Sequence, residues 1–364
     1  MALTDPLNFF VQLHLTARCN LRCRHCYQTE PAEDELSTVE VRDLIGEVRE
    51  TIEAWQETYG LALSPAVSLT GGEPLLRSDI FEIVRDFREA GFAVAILSNG
   101  TLVQDDAARR LAALGVRAVQ VSLEGREPVH DDIRGPGSFH LALRGVDHLI
   151  AAGHTVTANM TLSRLNAGEV LPLAQLVAAR GVQRLGFARI VPAGRGCELR
   201  EAALTMEETR RLYREIAAAR VPGLEFVTGD PLASCVLWPP VIDPALAVPV
   251  GGCAAGLAGI TVLEDGTLLP CRRLPVPIGN VRRDSIREVW ATSPVLTRLR
   301  SRDEYHGRCG TCPRWAACRG CRAIAWAAST ARGEADLCAD DPQCFLQPAD
   351  ETGRSEARAS SEPS

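Results

Sequence analysis

Residues 16–28 read T-A-R-C-N-L-R-C-R-H-C-Y-Q and place Cys19, Cys23 and Cys26 at C-x3-C-x2-C spacing. Directly before them, residues 9–15 form an apolar run that reads as a first buried β-strand. Three thiols on one loop at a strand's end can grip three corners of an iron–sulfur cubane and leave the fourth iron without a protein ligand. A structural zinc site is the alternative. It usually needs four ligands from paired knuckles, and the position of His25 beside Cys26 makes a shared tetrahedron awkward.

Outward from this loop the chain alternates. Ser37 and Glu40 form a capping box, and Val41, Leu44, Ile45, Val48, Ile52 and Trp55 follow at helical spacing, which predicts a helix over residues 38–59. Further strands are expected at 66–70, 92–97, 118–123, 155–162 and 184–190, with helices at 79–90, 105–114, 139–152, 168–179 and 206–219. Six βα units predict an α/β fold with a parallel sheet, and because the pattern stops near Val227 a partial (β/α)6 TIM-like barrel suits it better than a full one.

The proline- and glycine-rich stretch 229–252 reads as a linker. After it a smaller C-terminal α+β cysteine-rich domain is expected over 253–347. It opens with a hairpin whose turn contains Asp265 and Gly266, and it has helices at 285–300 and 322–331. The barrel would thus occupy 1–228. Residues 348–364 offer nothing apolar to bury and read as a disordered tail.

Hydrophobic residues at 46% and charged residues at 23% describe an ordinary soluble protein, and a net charge of -7 gives no footprint for nucleic acid. No apolar run of roughly eighteen residues and no signal peptide occur, which points to a cytoplasmic protein without a membrane partner. Thirteen cysteines are too many for buried free thiols, and a reducing compartment disfavours disulfides, so metal ligation is the economical account. None lies between Cys26 and Cys197, and nine fall from Cys235 onward, which suggests one metal loop in the barrel and a separate metal-rich region near the end.

Gly71-Gly72-Glu73-Pro74 ends the second strand, where backbone carbonyls and Glu73 can accept hydrogen bonds from an ammonium group. Ser98-Asn99-Gly100-Thr101 and Ser122-Leu123-Glu124-Gly125 end the third and fourth strands similarly, and H-D-D-I-R-G-P-G-S-F follows at 130–139. With the cysteine loop, these motifs resemble the radical SAM superfamily. In that family a [4Fe-4S] cluster holds S-adenosylmethionine (SAM) by its amino and carboxylate groups and cleaves it to a 5′-deoxyadenosyl radical.

The resemblance implies that Gly71, Gly72 and Glu73 face the methionine amino group, that Ser122 and Arg134 contact its carboxylate, and that Glu124 faces the ribose. Ser98, Asn99 and Asn159 are further SAM candidates. For Arg134 the competing expectation is an ion pair with Asp131 or Asp132. Arg189 and Arg195 are candidates for a substrate carboxylate.

Cys253-x12-Gly266-x4-Cys271, then Cys309-x2-Cys312-x5-Cys318-x2-Cys321, then Cys338, is similar to the SPASM extension of radical SAM peptide and protein maturases. By that resemblance Cys253, Cys271 and Cys321 hold an inner auxiliary [4Fe-4S] cluster, and Cys309, Cys312, Cys318 and Cys338 close an outer one. Two residues rather than the family's three separate Cys318 from Cys321. The inner cluster's remaining ligand has no clear match. Cys235 is the first candidate, with Cys197 and Cys344 behind it, and without any of them an open iron is left for substrate. A zinc ribbon over Cys309, Cys312, Cys318 and Cys321 is the alternative. About 12 irons are expected for three clusters and about 4 for one cluster plus zinc.

Sulfatase-maturing relatives carry an aspartate after the position of Cys271. Arg272 and Arg273 stand here instead, which argues against that activity and for a carboxylate or acidic peptide beside the inner cluster. The expected activity is radical modification of a small ribosomally made peptide, by oxidation or by a crosslink such as a thioether. The alternatives are modification of tetrapyrrole side chains, as in haem biosynthesis, and a non-catalytic electron carrier. A low-potential donor such as ferredoxin or flavodoxin is implied. No winged-helix leader-binding domain is expected before the barrel, so leader recognition would need the C-terminal domain or a separate leader-binding protein. No residue presents itself as a catalytic acid or base, Cys197 being the nearest candidate.

Overall fold

The computed structural model describes residues 7–28, 34–239, 243 and 246–346. Seven strands alternate with helices: β1 (Leu7–His14), β2 (Leu63–Thr70), β3 (Ala93–Ser98), β4 (Ala118–Ser122), β5 (Thr155–Leu162), β6 (Arg184–Arg189) and β7 (Glu225–Val227). They pair in parallel in chain order. The helices between them are α1 (Thr38–Tyr59), α2 (Ile80–Glu89), α3 (Asp105–Ala113), α4 (Glu127–Arg134), α5 (Ser138–Ala151), α6 (Val170–Ala179) and α7 (Met206–Ala218).

Side-chain alternation sorts the sheet's two faces. Val121, Val156, Ala158, Met160 and Leu162 are buried in the main core, whereas Gln120, Ser122, Thr157, Asn159 and Thr161 line interior cavities. Gln12, Ser68, Leu97, Gln120 and Thr157, one from each of β1 to β5, border a single cavity, so the sheet curls into a partial barrel. Helix α1 forms as its sequence dictates. Ser37 and Glu40 close the capping box, Gly60 ends the helix in the left-handed conformation, and Val41, Leu44, Ile45, Val48 and Ile52 face the core.

The second half departs from expectation in three places. Part of the predicted linker is helix α8 (Pro231–Leu237), because Asp230 caps it and Leu232 and Ala233 are fully buried. The hairpin strands β8 (Gly259–Val262) and β9 (Thr267–Leu269) do form, but β8 also pairs in parallel with β1, and with β10 (Gly279–Asn280) they extend the barrel's own sheet to ten strands. The helix expected over 285–300 is two, α9 (Ile286–Thr292) and α10 (Pro294–Arg300). The break falls at Pro294, whose ring sets a new first turn capped by Ser293. Helices α11 (Gly307–Thr311) and α12 (Arg322–Ala331) complete the described chain, and the expected disordered tail lies outside the described residues.

Arg189, read from sequence as a cavity arginine for a substrate carboxylate, is instead a structural cation. It is fully buried, donating to both oxygens of Asp230 (2.8 and 3.2 Å), both of Asp341 (2.9 and 2.8 Å) and Gln343 Oε1 (2.9 Å). This clamp ties β6 to α8 and to the end of the described chain. Arg189→Ala strands two buried carboxylates, and we expect a loss of roughly 3–5 kcal/mol in chemical denaturation. A loss under about 1 kcal/mol, the level of an exposed pair, would show that the clamp is not structural.

Candidate active site

The cysteine loop follows β1 and is held from both ends. Gly72 N–H donates to Thr16 O (2.7 Å) and Glu73 N–H to Arg18 O (2.9 Å), so the glycine pair lies directly against the loop. A Cβ on Gly71 would sit 2.2 Å from Thr16 O and one on Gly72 2.1 Å from Arg18 O, and Gly71 has φ +133°. Close backbone approach is therefore what the glycines supply. At the far end Gly196 N–H donates to Cys26 O (3.0 Å) and Arg195 Nε to Cys23 O (3.2 Å).

Cys19, Cys23 and Cys26 all border a chamber of about 440 Å³ at the C-terminal edge of the barrel strands. Asn99 Nδ2 lies 3.8 Å from Cys19 Sγ, and Arg134 Nη1 lies 3.8 Å from Cys23 Sγ. Burial pushes both thiols up, with Arg134 pulling against it at Cys23. Assembling a thiolate-bound cluster here therefore releases protons. Three thiols, a glycine-lined cradle and cationic or amide donors beside the sulfurs fit a cluster that keeps one iron for a small ligand.

Seven of the nine candidate SAM residues border this chamber: Gly71, Gly72, Ser98, Asn99, Ser122, Arg134 and Asn159. The other two are turned away from it. Glu73 is fully buried and accepts from Ser98 Oγ (2.9 Å), Asn99 N (2.8 Å) and Leu75 N (3.2 Å). Burial raises its carboxyl to about 7 despite these donors, and its work is to knit the Gly71–Gly72 turn to the end of β3.

Glu124 likewise faces protein rather than a ribose. Its Oε1 takes Arg134 (2.6 Å) and His25 Nε2 (3.2 Å), and its Oε2 takes Thr161 N (2.8 Å) and Asn166 Nδ2 (3.4 Å). Burial opposes its ionisation, but His25 and Arg134 hold the carboxyl well below the usual range. Arg134 is thus aimed by Glu124. Asp131 caps the start of α5 through Gly137 and Phe139 N–H, and Asp132 pairs with Arg24. The Glu124–His25 link was missed from sequence, where His25 was weighed only as a metal ligand.

Beneath this chamber lies a second cavity of about 340 Å³. The two share Leu97, Gln120, Arg272 and Arg273. Arg272 stands 5.9 Å from the Tyr27 ring, and Arg273 Nη1 donates to Arg189 O (3.1 Å). Among the described residues no carboxylate reaches ion-pair distance of either guanidinium. Arg273 has its pKa raised against the effect of burial, by the charges of Cys321, Cys271, Asp230 and Cys253.

Three of the four cysteines expected in the outer set share a cavity with Cys344. Cys309, Cys312, Cys318 and Cys344 border one small cavity, while Cys338 is fully buried against Arg322 and Arg298, its thiol directed at Arg298 O (3.9 Å). The cause is Asp341. It is locked to Arg189 and accepts from Cys321 N (2.9 Å), and the turn after it, closed by Cys344 N–H on Asp341 O (3.0 Å), swings Cys344 back. Cys235, assigned from sequence to the inner set, is buried on α8. Cys197 is exposed and donates to Pro192 O. Among the described residues no three Cys, His, Asp or Glu side chains converge as a single-ion site would require.

Family models match at two places: the radical SAM superfamily over residues 13–177, and SPASM, an iron–sulfur cluster-binding domain, over 253–313. An AdoMet-dependent heme synthase of Methanosarcina barkeri is 31% identical over 348 residues, covering 92% of this chain and 95% of its own. The chain belongs to the radical SAM superfamily. A mycofactocin maturase, MftC of Mycobacterium ulcerans, is also 31% identical, over 318 residues, with 84% of this chain and 80% of its own covered.

Among solved structures, SuiB of Streptococcus suis bound to its precursor peptide SuiA superposes with a TM-score of 0.71 at 15% identity, over 93% of this chain and 76% of that one, a likeness of fold. This radical SAM protein is an enzyme whose cofactors are SAM, a [4Fe-4S] cluster and auxiliary iron–sulfur clusters. The electron-carrier alternative falls away, since the relatives are named as synthases and maturases. Among the described residues no helix is long and apolar enough to cross a membrane.

Proposed function

We propose that this radical SAM enzyme modifies a propionate-type side chain of a tetrapyrrole. The observation that carries the reading is the cationic wall formed by Arg195, Arg272 and Arg273, none of which has a carboxylate at ion-pair distance among the described residues. Guanidinium groups of this kind suit planar, bidentate carboxylates. Relatives named heme synthase and pre-heme d1 synthase, matched over nearly their whole length, support it.

In this reading Cys19, Cys23 and Cys26 hold the SAM cluster, and Gly71, Gly72, Ser98, Asn99, Ser122, Arg134 and Asn159 cradle SAM. Cys253, Cys271 and Cys321 belong to the inner auxiliary cluster, and Cys309, Cys312, Cys318 and Cys344 to the outer one. When bound, the first cluster and SAM supply a hydrogen-abstracting carbon radical, and the auxiliary clusters supply an acceptor for the electron the substrate gives up. The chain's own part is orientation. Glu124 fixes Arg134 beside Cys23 and the SAM cradle, while Arg272 and Arg273 fix the substrate carboxylate at the junction of the two cavities. A low-potential ferredoxin or flavodoxin would deliver electrons to the cytoplasmic enzyme.

A second reading is favoured by the mycofactocin maturase at equal identity: oxidation or crosslinking of a small ribosomal peptide, with an acidic group on the same arginines and a separate leader-binding protein. An anaerobic titration separates the two. Iron coproporphyrin III added to SAM-loaded enzyme is expected to shift its Soret band saturably. No shift, together with loss of two hydrogens from a peptide encoded beside the gene, would favour the maturase.

A further inference from the structure

The barrel below the SAM chamber is hollow. A closed βα barrel is normally filled by layers of bulky, branched side chains from its strands. Here Gln12 and Ser68 stand side by side across β1 and β2, and their layer continues as Ala95 on β3 and Ala118 on β4. The next layer is Leu97, Gln120 and Thr157. These small and polar side chains leave the cavity of about 340 Å³ in place of a packed core.

The hollow is lined for hydrogen bonding. Gln12 is only 8% exposed, yet its carboxamide, that of Gln120 and the hydroxyls of Ser68 and Thr157 have no protein partner among the described residues. Interior polar groups left without partners are costly, so their convergence on one space, beside two guanidiniums that lack a carboxylate, marks it as built for a polar occupant. The carboxamides and hydroxyls can all donate, the arginines carry positive charge, and no acidic residue borders the cavity.

From this arrangement we infer that the lower cavity is the socket for a carboxylate-ended arm of the substrate, with Gln12, which borders only this cavity, as a specificity-determining residue beneath Arg272 and Arg273. An arm of the same length ending in a methyl group would leave these donors unpaired, so the socket rejects it. The inference rests on a substrate carboxylate, which the tetrapyrrole and peptide readings share: the arm is a propionate in the one and an acidic side chain in the other.

The test uses anaerobically reconstituted, SAM-loaded full-length enzyme and two probes. Trifluoropropionate, followed by fluorine NMR with its neutral amide as control, reports the socket alone. Iron coproporphyrin III, followed by its Soret band, reports the tetrapyrrole reading. Wild-type enzyme should bind trifluoropropionate saturably and in preference to the amide. Gln12→Leu should weaken that binding about tenfold, the usual worth of a hydrogen bond to a charged group. The near-isosteric Gln12→Glu should weaken it further, since its carboxylate competes for the same arginines, and it keeps the test open if Gln12→Leu misfolds. Trifluoropropionate bound equally by wild type and variants, or no better than the amide by wild type, would overturn the inference even if the porphyrin binds. A porphyrin that never binds, with the trifluoropropionate series as expected, would support the socket and overturn the tetrapyrrole reading instead.

Discussion

The Cys23→Ala protein should retain about 8 of about 12 irons and release no 5′-deoxyadenosine from SAM and reductant. Cys23 is the buried member of the loop's three thiols, with Arg134 at 3.8 Å from its sulfur and Arg195 on its carbonyl. Cys19 and Cys26 alone cannot hold a cubane, so the loss should be all of one cluster and none of the other two. The C-terminal cysteines do not border the chamber that Cys19, Cys23 and Cys26 line, so the remaining irons should be unaffected. Iron and deoxyadenosine assays on one preparation check this. A full iron complement, or continued deoxyadenosine release, would remove Cys23 from the cluster site.

The second large effect is expected at Arg272. This guanidinium borders both cavities and has no carboxylate partner among the described residues. If it takes a substrate carboxylate, Arg272→Gln should lower kcat/KM on the order of 100-fold, the usual consequence of removing one partner of a desolvated charge pair. The effect should fall mainly on KM. Slow SAM cleavage without substrate should continue, because the cysteine loop and Arg134 are untouched. An unchanged KM would place the substrate's carboxylate elsewhere.

Periodicity made most of the barrel legible, because β4 and β5 bury alternate residues and α1 carries both its caps in plain sequence. The glycine pair was legible as a ligand cradle, although its tightest constraint proves to be the backbone of Thr16 and Arg18. What escaped depends on contacts between residues far apart in the chain. Spacing points to Cys338 for the outer set, whereas the Asp341–Arg189 clamp and the turn after it place Cys344 on the cavity bordered by Cys309, Cys312 and Cys318. Glu124 and Glu73 carry the motif's chemistry by residue type, yet each is buried and held by donors from other strands and loops. Helix α8 was hidden because its cap, Asp230, stands inside a proline-rich stretch.

The most direct measurement incubates reconstituted enzyme anaerobically with SAM, a reductant and iron coproporphyrin III, and quantifies 5′-deoxyadenosine against porphyrin product by mass. The tetrapyrrole reading predicts deoxyadenosine in step with a porphyrin of changed mass, with both products absent in Cys23→Ala. Deoxyadenosine with an unchanged porphyrin would contradict the tetrapyrrole reading and leave the peptide, and no deoxyadenosine from a fully loaded enzyme would contradict the radical site itself.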